Sequence, residues 1–319
     1  RTTSLTYGFL ILSSEVGVLE VPEEKIVLKE RLHPGKMLLV NTVQGKVLND
    51  EEVKEYYAKK QPYGEWLDSY LVQLKDIKIP NLPVEEYTKE ERMRLQKAFG
   101  YTYEEYRSSI GKMALNGVEA TASMGIDTPL AVLSHEHQPL FNYFKQLFAQ
   151  VTNPPIDCIR EEIVTSTSVY VGRDGNLLEE EPKNCQVLKI NNPILTNTDM
   201  LKIKNMKVEG FKAVTVPITY YKSAPLDRAM DRLFVEVDRA HRAGANILIL
   251  SDRGVDENHV AIPSLLAVSA VHQHLVKTKK RTSLAIISGV RRAARGAPFR
   301  NTARLRCLRN QPVSGTRHD

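Results

Sequence analysis

The chain has 319 residues, 42% of them hydrophobic, which is enough for one large domain or two smaller ones with a buried core. No apolar run approaches the about 20 residues needed to span a bilayer, and three widely spaced cysteines argue against a disulfide framework. The net charge is +6, but residues 288–319 alone carry eight arginines and one acid, so the rest of the chain is close to neutral.

The first residues lack the charged and apolar regions of a signal peptide, and no methionine stands at the start. We therefore expect the sequence to begin within a longer polypeptide, and the few, widely spaced cysteines favour a reducing cytoplasm. Short apolar runs punctuated by glycine and proline follow at residues 9–12, 14–18 and 34–40. Runs of this length are typical of strands, so a short β-rich segment is predicted for residues 1–45.

Residues 50–115 are predicted to be mostly helical. Asp50 opens one helix with a run of acids, which the positive end of a helix dipole stabilises. Thr88 and Thr102 are each followed three residues later by glutamate, which is the spacing of a capping box. Two further helices are therefore predicted to begin there, and the proline-containing segment 75–87 is predicted to be a connector.

Strands and helices alternate from about residue 211. The predicted order is strand 211–216, helix 225–243 ending at Gly244, strand 247–250, helix 263–276 and strand 283–287. Because the connections are short, this order predicts an α/β fold with a parallel sheet and right-handed crossovers.

One pair of charged residues lies at the end of a predicted buried strand. Asp252 and Arg253 directly follow the run 247–250, at the end where barrels place active sites. They could bind an anion or take part in acid–base chemistry. Without a nucleophile or a set of metal ligands nearby, an ion pair that closes the loop is the favoured interpretation.

The other chemical signals are weak. His135 with His137, and His272 with His274, form two His-x-His patterns, but neither has a third ligand placed by sequence. No glycine-rich phosphate-binding loop is present, and the cysteines lack the spacing of an iron–sulfur site. No catalytic, cofactor-binding or metal-binding residue is therefore predicted.

Four segments carry a more specific signal when they are taken in order. They are residues 61–67 (QPYGEWL), 123–134 (SMGIDTPLAVLS), 147–157 (LFAQVTNPPID) and 247–254 (ILILSDRG). The third combines an apolar run, predicted to be helical up to Asn153, with two prolines that force an extended path. Together the four resemble the central domain of the large subunit of glutamate synthases, which make glutamate from glutamine and 2-oxoglutarate. The resemblance covers roughly residues 5–287.

This resemblance implies a domain organisation. Residues 1–45 would be the end of a glutamine amidotransferase domain, whose cysteine nucleophile lies upstream. Residues 46–287 would be the central domain, an incomplete relative of the (β/α)8 barrel. In the family FMN and a 3Fe–4S cluster belong to the next domain, so this fragment is expected to hold no cofactor and to be inactive alone.

The implied role is a non-catalytic link between the glutaminase and synthase sites, with ammonia passing between them through a tunnel. Residues 123–134 and 153–155 are candidate wall elements. The expected partners are the amidotransferase and FMN-binding domains of the same polypeptide, and a small subunit or ferredoxin; no nucleic-acid or membrane partner is expected. Two rival interpretations are a stand-alone basic nucleic-acid-binding module and an independent flavin barrel enzyme.

The arginine-rich segment 288–319 is predicted to be a frameshifted, disordered tail. Codons for residues 290–299 can be chosen so that reading one base later gives SGEPREVHHF. That run resembles the one that glutamate synthases carry after such a strand. Because an off-frame tail would supply no further strand, the strand 283–287 is expected to be left as an exposed edge of the sheet.

Overall fold

The structure is a computed structural model. It describes residues 8–15, 17–83, 86–118, 120–121, 127–136, 138–144, 147–149, 151, 155–176 and 178–291, with the backbone of 2–5 and 307–310. The chain divides into two compact units, Arg1–Glu65 with Pro154–Ser166, and Trp66–Asn153 with Thr167–Asp319. The domain boundaries predicted at 45/46 and 287/288 stay predictions.

The first unit begins with two small antiparallel sheets. Its strands are β1 (Thr2–Leu5), β2 (Leu10–Leu12), β3 (Ile26–Glu30), β4 (Leu39–Asn41) and β5 (Lys46–Leu48). The first sheet has the order β2-β1-β3, and β4 pairs with β5. The β-rich start is thus confirmed, but the described residues of the strand predicted at 14–18 form none.

Helices occupy most of the next part of the chain. They are α1 (Asp50–Lys59), α2 (Tyr63–Tyr70), α3 (Lys89–Ala98), α4 (Tyr103–Glu105), α5 (Gly111–Asn116) and α6 (Glu161–Thr165), with a π-helical turn Tyr106–Ile110 between α4 and α5. Capping boxes begin α3 at Thr88 and α4 at Thr102, as predicted. The helix predicted for the apolar run before Asn153 is wrong for its described residues 147–149 and 151, which are not helical.

The second unit continues with the remaining strands and helices. These are β6 (Val72–Gln73), β7 (Val169–Gly172), β8 (Val187–Ile190), β9 (Ile194–Leu195), α7 (Asn197–Lys204), β10 (Ala213–Pro217), β11 (Thr219–Tyr221), α8 (Leu226–Arg242), β12 (Ile247–Ser251), β13 (His259–Ala261), α9 (Ser264–Lys277), β14 (Ala285–Gly289) and β15 (Cys307–Asn310). Short 3-10 helices cover Glu23–Lys25, Leu74–Asp76, Leu140–Tyr143, Pro182–Cys185 and Arg281–Ser283.

A five-stranded sheet with the order β10-β12-β14-β15-β9 forms the centre of this unit. All four neighbouring pairs are parallel, which confirms the predicted α/β class and its parallel sheet. No closed barrel forms among the described strands, as expected for an incomplete barrel-like domain. A separate sheet has the order β6-β8-β7, and β11 pairs with β13.

Strand β12 is buried along its whole length because both faces of the central sheet are covered. Leu248 and Leu250 share one hydrophobic cluster with residues of α8 and α9, such as Leu233. Ile247 and Ile249 point the other way, since side chains alternate along a strand, and they belong to a second cluster with β8 and α7. A layer thus packs against each face of the sheet, which explains the uninterrupted apolar sequence ILIL.

The two long helices end in the same motif but with different residues in the left-handed position. Gly244 follows α8 with φ of +83°, and its N–H donates to the carbonyl of His241, while that of Ala245 donates to Ala240. This is a Schellman ending, in which glycine adopts the left-handed conformation without steric cost. Lys279 takes the same place after α9, with φ of +58°, and it is the only described non-glycine residue with positive φ.

The expectation of an exposed edge at the last predicted strand was wrong. The backbone of β15 pairs in parallel with β14 on one side and with β9 on the other. A ladder needs only main-chain N–H and C=O groups, so the basic composition of the segment does not prevent pairing. Residues 288–291 also extend the second unit, since Ser288 to Arg291 are buried. The origin of the tail in a shifted reading frame stays a prediction.

Candidate functional site

The polar residues after β12 lie at the carboxyl edge of the parallel sheet. The side chain of Asp252 is 2% exposed, and its Oδ2 accepts a hydrogen bond of 2.8 Å from the backbone N–H of Arg291. The hydroxyl of Ser251 accepts one of 3.2 Å from the N–H of Arg253. Asp252 therefore joins the end of β12 to the segment that follows β14.

Two aromatic side chains from a much earlier part of the sequence contact Arg291. Its Nη2 donates to the hydroxyl of Tyr87 at 2.9 Å, and its guanidinium carbon lies 5.5 Å from the centre of that ring. The hydroxyl of Tyr101 donates to the carbonyl oxygen of Arg291 at 3.0 Å. These contacts fasten the region around α3 and α4 to the edge of the sheet.

The cluster contains buried polar atoms without a protein partner among the described residues. These atoms are Oδ1 of Asp252 and both Nε and Nη1 of Arg291. Burial raises the pKa of Asp252 to about 6, against the opposing effects of the Arg291 N–H and of the charges on Arg253 and Arg291. The carboxyl group is thus mainly ionised at neutral pH, in surroundings that disfavour its charge.

This geometry favours a structural role for Asp252. A carboxyl group with a pKa near 6 could exchange protons, but Asp252 is almost fully enclosed and its bonds run to main-chain N–H of its own fold. The ion pair that the sequence suggested for closing this loop stays a prediction, because the hydrogen bond to Oδ2 comes from a main-chain N–H and not from a guanidinium group. Arg253 was the expected arginine, whereas the residue that bonds Oδ2 is Arg291.

The second His-x-His pair makes contacts that compete with metal binding. Nδ1 of His272 accepts a hydrogen bond of 3.0 Å from Nε of Arg281, and burial, followed by the charge of Arg281, lowers the pKa of His272. The ring of His274 stacks on Phe234 with centroids 4.6 Å apart, and its Nε2 lies 3.2 Å from Oδ1 of Asp238. The two rings therefore serve different local contacts, as expected for positions two apart on a helix.

The remaining candidates do not assemble a site within the described part of the chain. His135 is exposed, and His137 lies outside the described residues. No group of three or more potential metal ligands was found where side chains are described. Cys158 and Cys185 are free thiols. No helix in the described ranges has the length and apolar character needed to cross a membrane.

The candidate tunnel segments are only partly visible. Residues 152–154 and 122–126 lie outside the described residues, so the Asn153–Pro155 elbow and the start of the 123–134 segment have no structural account. Within the described remainder, Val132 and Leu133 are almost fully exposed.

Comparison with known sequences adds what the geometry alone does not give. The model of the family described as the glutamate synthase central domain matches residues 94–295. The chain belongs to this glutamate synthase family. A second match, to the class-II glutamine amidotransferases, covers residues 1–66 of the same chain.

Individual glutamate synthases resemble the chain over most of its length. The NADPH glutamate synthase large chain of Bacillus subtilis is 43% identical over 283 residues, 88% of this chain and 18% of the relative. The NADH enzyme of Schizosaccharomyces pombe is 38% identical over 87% of this chain and 14% of its own length. Ferredoxin-dependent glutamate synthase 2 of Synechocystis is 38% identical over 88% of this chain and 18% of its own length. The chain thus spans less than a fifth of these relatives.

Sequence reasoning missed Arg291, Tyr87 and Tyr101. Tyr87 and Arg291 are 204 positions apart, so no local pattern could pair them. One signal was available for Arg291, because it follows the carboxyl end of β14 next to the strand that carries Asp252. Residues after neighbouring parallel strands meet at one edge of the sheet.

Proposed function

We propose that this chain is the central part of a glutamate synthase and joins its glutaminase region to its synthase region without catalysing either reaction. The observation that carries the proposal is the order of the two family matches, amidotransferase at 1–66 and central domain at 94–295. A segment that begins in the amidotransferase region and continues into a separate domain could fix the position of the glutaminase region relative to the synthase region.

The proposal extends to the route of ammonia. Ammonia released from glutamine would be protonated and diluted in bulk water, so an enclosed path between the two sites protects it. We assign part of the wall of such a path to this domain. The parent enzyme would carry FMN and a 3Fe–4S cluster in a following domain, take electrons through a small subunit or from ferredoxin, and work in the cytoplasm.

The rival interpretations gain no support. The family match covers most of the body of the chain, and residues 1–287 have 36 basic and 37 acidic residues, a balance that does not favour nucleic-acid binding. Asp252 is enclosed, so its cluster fits a structural contact at the edge of the sheet better than the active site of an independent flavin enzyme.

A chimera tests the proposal. Residues 1–287 would replace the matching region of the Bacillus subtilis large chain. The chimera would be combined with the small subunit that is proposed to supply electrons, and glutamine hydrolysis and NADPH oxidation would be measured in the presence of 2-oxoglutarate. We expect equal rates of the two, because the synthase reaction would consume the ammonia that glutamine releases, and no glutamate formation by this chain alone. A chimera that folds, binds FMN and hydrolyses glutamine, but releases the ammonia to solution, would contradict the linking role.

A further inference from the structure

One histidine at the carboxyl edge of the central sheet has a carboxylate partner. His259 begins β13, in the connection that follows β12, and its Nδ1 lies 2.9 Å from both oxygens of Asp256. Oδ1 of Asp256 also accepts hydrogen bonds of 2.8 Å from the backbone N–H groups of Asn258 and His259. We call Asp256 and His259 the dyad. It lies at the edge of a parallel sheet where ligands bind in open α/β folds.

The surrounding strands fix the position of the imidazole ring. His259 is paired with Tyr221 where β11 meets β13, and the centroids of the two rings are 4.3 Å apart. The N–H of Lys222 donates to the carbonyl of Asn258 at 2.9 Å, and the N–H of Asp256 donates to the carbonyl of His259 at 3.2 Å. The ring therefore has a defined orientation, although the side chain of His259 is 32% exposed.

The carboxylate selects one tautomer of the ring. The hydrogen bond from His259, together with those from the backbone N–H groups, lowers the pKa of Asp256 below its ordinary value, so this group is ionised at neutral pH. An ionised carboxylate only accepts hydrogen bonds, and the proton of the neutral ring must therefore be on Nδ1. The lone pair is then on Nε2, which is not enclosed and has no hydrogen-bond partner among the described residues.

The other described histidines lack this combination. Nδ1 of His272 accepts a hydrogen bond from a guanidinium group, so the proton of its neutral ring is on Nε2. Nε2 of His241 is 3.0 Å from a hydroxyl oxygen, and Nε2 of His274 is enclosed. His33 and His135 are exposed, but no carboxylate contacts either ring within the described part of the chain. An oriented ring with an accessible lone pair is thus found at the dyad.

We propose that Nε2 of His259 is a nucleophile that accepts a phosphoryl group from a small donor such as an acyl phosphate. The lone pair of Nε2 forms the bond to phosphorus, while the bond from phosphorus to the carboxyl oxygen breaks and the carboxylate leaves with that electron pair. The product ring is positively charged, and Asp256 stabilises this charge through the Nδ1–H hydrogen bond. Histidine forms covalent intermediates of this kind in enzymes. The modification site is independent of the linking role.

The test uses the full chain, with acetyl phosphate as the probe. Phosphorylated positions would be mapped by mass spectrometry at mildly alkaline pH, which preserves the N–P bond, and phosphorus NMR would identify the modified ring nitrogen. We expect His259 to react about tenfold faster than His135, because the exposed ring of His135 has no orienting carboxylate among the described residues. The phosphoryl group should be on Nε2, since the hydrogen bond to Asp256 occupies Nδ1.

Substitutions separate orientation from loop closure. Asp256→Asn should slow the labelling of His259 about tenfold and increase the fraction of rings with the proton on Nε2, which nitrogen NMR measures. Glu257→Gln removes a negative charge from the same connection at an exposed position, so it should change the rate less than about threefold. A carboxylate that only closed the loop would leave the tautomer ratio unchanged in Asp256→Asn.

Several outcomes would overturn the inference. They are an absence of labelling at His259, equal rates at His259 and His135, attachment of the phosphoryl group to Nδ1, or an unchanged rate in Asp256→Asn. The first three are measured on the native chain, so they decide the question even where a variant folds poorly.

Discussion

The backbone N–H of Arg291 donates a hydrogen bond of 2.8 Å to Oδ2 of Asp252, and this bond connects the segments that follow β12 and β14. The bond satisfies one carboxylate oxygen, while Oδ1 has no protein partner among the described residues. An enclosed carboxylate with an unsatisfied oxygen costs free energy whenever it is charged. The stability of the second unit should therefore respond to pH at this residue.

Asp252→Asn should remove one pH-dependent part of the stability. The pKa of Asp252 is about 6 in the fold and 3.8 as a free side chain, so the folded state binds the proton more tightly between these values. Relative to the variant, the free energy of unfolding of the native chain should rise by up to about 3 kcal/mol as the pH falls from 7 to 4. Urea titrations at several pH values would measure this, and a constant difference between the two proteins would contradict it.

Gly35→Ala should destabilise the first unit more than Gly45→Ala does. Both glycines have positive φ, +71° and +64°, so alanine strains either position by about 1 kcal/mol or more. A Cβ at Gly35 would also come within 3.1 Å of two carbon atoms of Ile159, whereas one at Gly45 would meet open space. We expect Gly35→Ala to lower the free energy of unfolding by about 1 kcal/mol more than Gly45→Ala does.

Hydrogen exchange of the α1 amides would report both losses. Adding Ile159→Ala to the Gly35→Ala chain should remove the additional loss of stability that distinguishes it from Gly45→Ala. No recovery would show that contact with Ile159 is not the cause.

Lys279→Gly should stabilise the chain. Lys279 has left-handed backbone geometry after α9. This geometry destabilises a residue with a side chain by about 1 kcal/mol, whereas glycine adopts it without strain. Lys277→Gly, within the last turn of the same helix, should instead destabilise by up to about 1 kcal/mol. Thermal unfolding of both variants would show opposite shifts, and a fall in melting temperature for Lys279→Gly would disprove the strain argument.

Removal of β15 should make the chain aggregate. Without residues 307–319, β14 and β9 each lose a paired neighbour and present free N–H and C=O groups. Light scattering should increase, and exchange in Ala285–Gly289 should accelerate. Deletion of residues 311–319 alone keeps β15 and serves as the control, so equal aggregation of both shortened chains would argue against strand pairing as the cause.

Sequencing the encoding DNA across codon 288 would test the reading frame. We expect a one-base insertion or deletion near this codon, after which the next frame encodes the run that resembles glutamate synthases. An uninterrupted frame, verified in independent DNA, would refute this origin of the arginine-rich segment.

The sequence predicted the elements whose signals are local. The run ILIL of β12 is recognisable because burial on both faces requires continuous apolar residues. Thr88 and Thr102 indicate the starts of their helices because each is followed three positions later by a glutamate that completes a capping box. Strand β8, with the sequence VLKI, was missed because four residues carry little periodicity. The contact of Tyr87 with Arg291 depends on the finished fold, and the amidotransferase segment was predicted to end earlier than its match does.

The position of β15 has a consequence for the time course of synthesis. This strand lies between β14 and β9, and the 17 residues 290–306 separate it from the end of β14. Translation proceeds at about 5 to 20 residues per second, so this position stays open for about 1 to 4 seconds after β14 has been made. During that interval the facing edges of β14 and β9 have not yet gained the strand that pairs with both of them, and unpaired edges of this kind can associate with other chains.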